Sequence, residues 1–148
     1  MSKSAKDFLT KDQRDDIKQA ILNAELDTSG EIRVHIDSRC KGDVMERAYE
    51  VFKKLKIHKT ELRNGVLFYL AIKNRKFAII GDEGINKVVP DDYWESLKME
   101  MLDAFREEKF SDGLVNGITN IGNYLKKHFP YQTDDVNELS DEISFGDK

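Results

Sequence analysis

The sequence predicts an α/β protein, a three-layer α/β/α sandwich around a small mixed sheet. Three observations predict it. Ile32, Val34 and Ile36 alternate with Arg33 and His35, the period of a strand with two unlike faces. Val66–Ile72 is apolar at every position, as in a central strand covered on both sides. Around these runs lie stretches whose apolar residues recur at helical spacing.

In chain order, Thr10 and Gln13 have capping-box spacing, and Ile17, Ala20, Ile21 and Ala24 form the inward stripe of a first helix. Asp27-Thr28-Ser29-Gly30 ends it and leads into the alternating strand. Asp43 and Glu46 repeat the capping spacing ahead of Met45, Ala48, Tyr49, Phe52 and Leu55, a second amphipathic helix. A polar connector, Lys59 to Gly65, delivers the chain into the central strand. The turn Lys73-Asn74-Arg75-Lys76 then folds Phe77–Ile80 back as an antiparallel hairpin.

After Gly81-Asp82-Glu83-Gly84, Pro90-Asp91-Asp92 opens a third helix with Trp94, Leu97, Met101, Leu102 and Phe105 along one stripe. Trp94 is read as core because its stripe partners are apolar. Ser111-Asp112 is expected to cap a fourth helix, with Leu114, Ile118, Ile121 and Leu125 inward and Phe129-Pro130 as its stop. Gly117 and Gly122 lower its propensity, so close packing against a neighbour is expected to compensate. Residues 1–130 therefore form the domain. Residues 131–148 form an acidic tail (Asp134, Asp135, Glu138, Asp141, Glu142) with scattered Val136, Leu139, Ile143 and Phe145, weakly docked or mobile. The order α-β-α-β-β-α-α holds one β-α-β unit, which crosses over right-handedly and makes its strands parallel.

Bulk properties exclude several function classes. A length of 148 residues fits one domain with a sizeable core. The net charge of −4, with no Lys/Arg run beyond two, excludes a nucleic-acid binder and a polybasic membrane patch. Neither a secretory h-region nor a span-length apolar run is present, so no direct membrane insertion is expected. The single cysteine, Cys40, rules out an internal disulfide and fits a reducing cytoplasm.

The predicted pairing has a chemical consequence. Parallel first and second strands put Glu31 and Asn64 at one edge, and the antiparallel third strand returns Asp82 and Glu83 to it. Asp91, with Asp92, closes over them from the third helix's start. Carboxylates, an amide oxygen and backbone carbonyls suit Ca2+ or Mg2+, which gives Glu31, Asn64, Asp82, Glu83 and Asp91 as a metal-ligand set. The plainer alternative pairs Glu31 and Asp82 with Arg63 and leaves the glycines to turn corners. At the opposite edge, Asp37 lacks the second aspartate of an aspartyl-phosphate motif, since position 39 is Arg. Cys40 lacks the arginine of a cysteine-phosphatase loop, since position 46 is Glu, and is read as a bystander. His35, His58 and His128 are dispersed, without zinc spacing. No P-loop, GxGxxG, GxSxG or EF-hand loop occurs.

Ser29-Gly30-Glu31-Ile32, Arg63-Asn64-Gly65-Val66-Leu67, Gly81 through Gly84 and Phe110-Ser111-Asp112-Gly113-Leu114 together resemble the TPM domain, from about Phe8 to Phe129. The ending Asn137-Glu138-Leu139 resembles a soluble bacterial branch without signal peptide or anchor. The resemblance implies the same α/β/α sandwich and an auxiliary role, as in photosystem repair or modulation of a membrane receptor. Calcium binding and a weak acid phosphatase activity are attributed to some members. Asn64, Gly65, Gly81, Gly84 and Asp91 match the motif by position. Asp82-Glu83 stands between the glycines where the usual pattern puts an aromatic residue.

Two functions follow. One is a non-catalytic divalent-ion-binding accessory module supporting a protein partner, a membrane protein being one candidate. The other is a metal-dependent acid phosphatase acting on phosphomonoesters.

Overall fold

The computed structural model describes residues 5, 7–131 and 143–146. The tail acids and the Asn137-Glu138-Leu139 ending lie outside the described residues. Helix α1 spans Lys11–Glu25 behind a complete capping box between Thr10 and Gln13. Strand β1 is Glu31–Asp37, helix α2 Val44–Lys54, and a 3-10 turn covers Ile57–Lys59. Asp43 caps α2 by accepting from the Glu46 amide at 3.0 Å. Strands β2, Gly65–Ala71, and β3, Lys76–Gly81, form the hairpin. A one-turn helix α3, Glu83–Asn86, precedes α4, Tyr93–Arg106, and α5, Phe110–His128. A last short strand, β4, is Ser144–Phe145.

The sheet order is β3-β2-β1-β4, with β1 parallel to β2 and to β4 and with β3 antiparallel to β2. The register sets Glu31 beside Gly65 and Asp37 beside Ala71, so both parallel strands begin at one edge. Sheet alternation then sorts the core into two layers. Ile32, Val34, Ile36, Val66, Phe68 and Leu70 pack under α1, α4 and α5. Leu67, Tyr69, Ala71, Ala78 and Ile80 pack under α2 and Ile57. Each fully buried aliphatic side chain contributes about 1.5–3 kcal/mol, so both layers are needed to hold the sheet.

Close approach explains the glycines of α5. A Cβ on Gly122 would lie 2.7 Å from the Ala24 Cβ, and one on Gly117 would lie 2.5 Å from the Met101 sulfur. The expected compensation is therefore α1 and α4 lying close against α5. Two expectations need correction. Helix α5 starts at Phe110 without a side-chain cap, and Ser111 is buried inside its first turn. Trp94 is only half-buried and donates to Asn86 Oδ1 at 2.8 Å, because Tyr93 takes the inward position at the start of α4. The polar side of β1 is buried as well, as expected of a sheet covered on both faces.

Candidate functional site

Loop geometry brings the expected stretches together at the amino edge. The Glu31 amide donates to Asn64 O at 3.4 Å, and the Asp82 amide donates to Gly65 O at 3.0 Å. Asn64, 1% exposed, donates from Nδ2 to Ser29 Oγ at 3.2 Å, and its backbone amide donates to Thr60 Oγ1 at 3.2 Å. Glu31 is also buried. The Gly84 amide donates to Arg63 O at 2.8 Å, and a Cβ at Gly84 would stand 2.1 Å from Leu62 O, so only glycine permits this contact.

Arg63 sits at the centre, in a left-handed backbone conformation (φ 53°). Its Nε and Nη2 grip Asp82 Oδ2 and Oδ1 at 2.6 and 2.7 Å, and Nη1 reaches Glu83 Oε1 at 2.8 Å. The hydrogen bond from Asp82, followed by the nearby carboxylate charges, pushes the guanidinium further towards its charged form. Asp82 also caps α3 by accepting from the Glu83 amide at 2.8 Å. Asp91 is exposed ahead of α4, outside the hydrogen bonds that join this group.

Of the five expected ligands, Asp82 and Glu83 thus share a guanidinium, and Glu31 and Asn64 lie in the adjoining strand starts. Among the described residues no group of three or more His, Cys, Asp or Glu could hold a metal ion. As arranged, Arg63 rather than an ion neutralises Asp82 and Glu83. The pairing of Arg63 with the loop acids was legible as the plainer alternative, with Glu83 rather than Glu31 as its second acid.

A second polar cluster, missed in the sequence, lies under α2 at the carboxyl end of β1. Asp37 is fully buried and accepts four contacts. His35 Nε2 lies 2.9 Å from Oδ1, Arg47 Nε 2.8 Å from Oδ2, Arg47 Nη2 3.3 Å from Oδ1, and the Tyr69 hydroxyl 2.5 Å from Oδ2. Burial alone pushes the Asp37 carboxyl up, but the hydrogen bonds from His35, Arg47 and Tyr69 prevail and hold it well below the usual carboxylate range. Burial and the bond to Asp37 push the Tyr69 hydroxyl up, so it stays protonated and donates.

On its other nitrogen, His35 meets Ser144 Oγ at 2.7 Å. An Asp–His–Ser chain invites comparison with a nucleophilic triad. Here the ring is reversed, with Nε2 on the acid and Nδ1 on the serine, and Arg47 neutralises the acid. The arrangement serves cohesion. The sequence signal was the polar pair His35 and Asp37 on one face of a strand, which only a buried partner could satisfy.

Cys40 is buried in the α2 layer, its sulfur near the Gly42 and Asp43 carbonyls at 3.6 and 3.9 Å. His128 stacks on Tyr124 at 6.1 Å. No described helix is long and apolar enough to cross a membrane.

Known proteins sharpen the picture. The BA42 protein from the psychrophilic bacterium Bizionia argentinensis, solved by NMR, is 45% identical with a TM-score of 0.88, covering 99% of this chain and 100% of its own. The N-terminal domain of a protein from P.gingivalis, also solved by NMR, is 17% identical with a TM-score of 0.70, over 84% of this chain and 83% of its own. The N-terminal domain of the cg2496 protein from Corynebacterium glutamicum is 15% identical with a TM-score of 0.62, over 79% and 74%. These last two share the fold. No curated protein matches the chain. The TPM domain profile matches residues 3–124, which is most of the sequence, and the chain belongs to the TPM domain family.

Proposed function

We propose that this chain is a non-catalytic accessory module supporting a protein partner, and that its amino-edge acids exchange Arg63 for a divalent ion, Ca2+ or Mg2+. The observation that carries this reading is the Arg63 clamp. A guanidinium already neutralises the two acids a cation would bind, and its side chain is 43% exposed at the surface. Asp82 and Glu83 would then bind the ion first, with Glu31, Asn64 and Asp91 completing an oxygen set after rearrangement. The acidic composition and single cysteine accord with a cytoplasmic setting.

The alternative is a metal-dependent acid phosphatase acting on phosphomonoesters. That chemistry needs a cation held tightly enough to polarise a phosphoryl oxygen and activate water. Two acids that must first release a guanidinium suit reversible occupancy better. Turnover of p-nitrophenyl phosphate by the pure protein, with and without Mg2+ or Ca2+, separates the readings. The module reading expects no turnover above background. Cation-dependent turnover that Asp82→Asn abolishes would make this edge an active site and overturn it.

A further inference from the structure

The sheet ends in a strand borrowed from the chain's own terminus. Ile143–Gly146 lies along β1 in parallel register, with Ser144 beside His35 and Phe145 beside Ile36. Its recognition is specific at three successive positions. Ser144 Oγ meets His35 Nδ1 at 2.7 Å and Val34 O at 3.3 Å. Phe145, like Ile143, packs half-buried against the α1–α5 core. The Gly146 amide donates to Ile36 O at 3.0 Å, and a Cβ there would lie 1.9 Å from Asp37 Oδ1. The groove therefore reads a small hydroxyl residue, a large apolar residue and a glycine.

Its floor is rigid, because Arg47, Tyr69 and His35 all hold Asp37. The occupant is held lightly by comparison. Two register positions join β4 to β1, against seven between β1 and β2, and all four residues of the segment are half-buried. Residues 132–142 separate it from Tyr131, a stretch that reaches at most about 40 Å.

We propose that the β1 edge is a docking groove for an extended segment of a protein partner carrying Ser or Thr, a large apolar residue and Gly in succession, and that Ile143–Gly146 is its built-in competitor. The partner segment adds to the sheet by main-chain hydrogen bonds, and His35, the core and Asp37 select its side chains. This deepens the reading of the chain as a partner-supporting module, and it is independent of the cation.

The test uses the full-length chain in EDTA, so that failure of the cation exchange cannot affect it. Gly146→Val ejects the segment, and Phe145→Ser serves as a second released form should the valine impair folding. A fluorescein-labelled peptide of residues 140–148 is titrated against each and followed by anisotropy. Released chains should bind it saturably, about tenfold or more tighter than the unsubstituted chain, whose own segment competes at the effective concentration of a tether. The peptide carrying Gly146→Val should not bind. Absence of binding by both released forms, or equal binding of parent and Gly146→Val peptides, would overturn the proposal. A dimer of the unsubstituted chain at sedimentation equilibrium that Gly146→Val converts to monomer would assign the groove to a second copy and overturn the partner.

Discussion

Single residues divide between those the sequence disclosed and those only the sheet register could join. Glu31, Asn64 and Asp82 were legible because each sits at a strand end whose direction follows from chain order. Asp37 was not, since its partners come from α2 and β2, at Arg47 and Tyr69. Read alone, it suggested an incomplete phosphorylation motif. Buried and paired, it is a structural charge, and Asp37→Ala, which leaves Arg47 without it, should cost about 3–5 kcal/mol in denaturant melts. The pH dependence follows from direction. Asp37 titrates lower in the folded chain than in the unfolded one. Its contribution is therefore complete above the unfolded value of about 4 and is lost as pH falls towards the folded value. Urea midpoints should drop below about pH 4, and the drop should shrink in Asp37→Ala. Tyr69→Phe removes one charge-assisted bond and should cost about 1.5–3 kcal/mol by the same melts.

At the scale of elements, caps and stripes located α1 and α2, while α5 hid its start. Ser111 and Asp112 form a persuasive capping pair in sequence, but Phe110 already packs on Phe8 and Phe105 at 4.9 and 5.3 Å and draws the first turn back. Tertiary packing overrode local preference there. The same competition gives α5 a testable sign. Gly122→Ala gains about 1 kcal/mol of helix propensity, yet its Cβ would meet Ala24 at 2.7 Å. Thermal melts should show net destabilisation, because α1 must shift away from α5. Gly84→Ala drives a Cβ into backbone at Leu62 and Arg63 and should cost about 1–3 kcal/mol. It should also loosen the Arg63 clamp, visible as a shifted Arg63 Nε resonance.

For the molecule as a whole, the sandwich and its mixed sheet were legible because one β-α-β unit and one hairpin leave few alternatives. The edge strand β4 was not. Ile143 and Phe145 were visible as apolar residues in an acidic stretch, but two residues of alternation cannot name the strand they join. The fold then sets its two edges to different work, an Arg-clamped acidic edge at the strand starts and a peptide-lined edge along β1. The central claim concerns the first, and a Ca2+ and Mg2+ titration of the 15N-labelled protein, wild type beside Arg63→Ala, tests it most directly. The account predicts saturable amide shifts confined to Thr28–Glu31, Arg63–Gly65 and Gly81–Gly84, at lower ion concentration once the guanidinium is gone. Amides that stay fixed in both proteins up to millimolar ion would contradict it, leaving Asp82 and Glu83 as structural partners of Arg63.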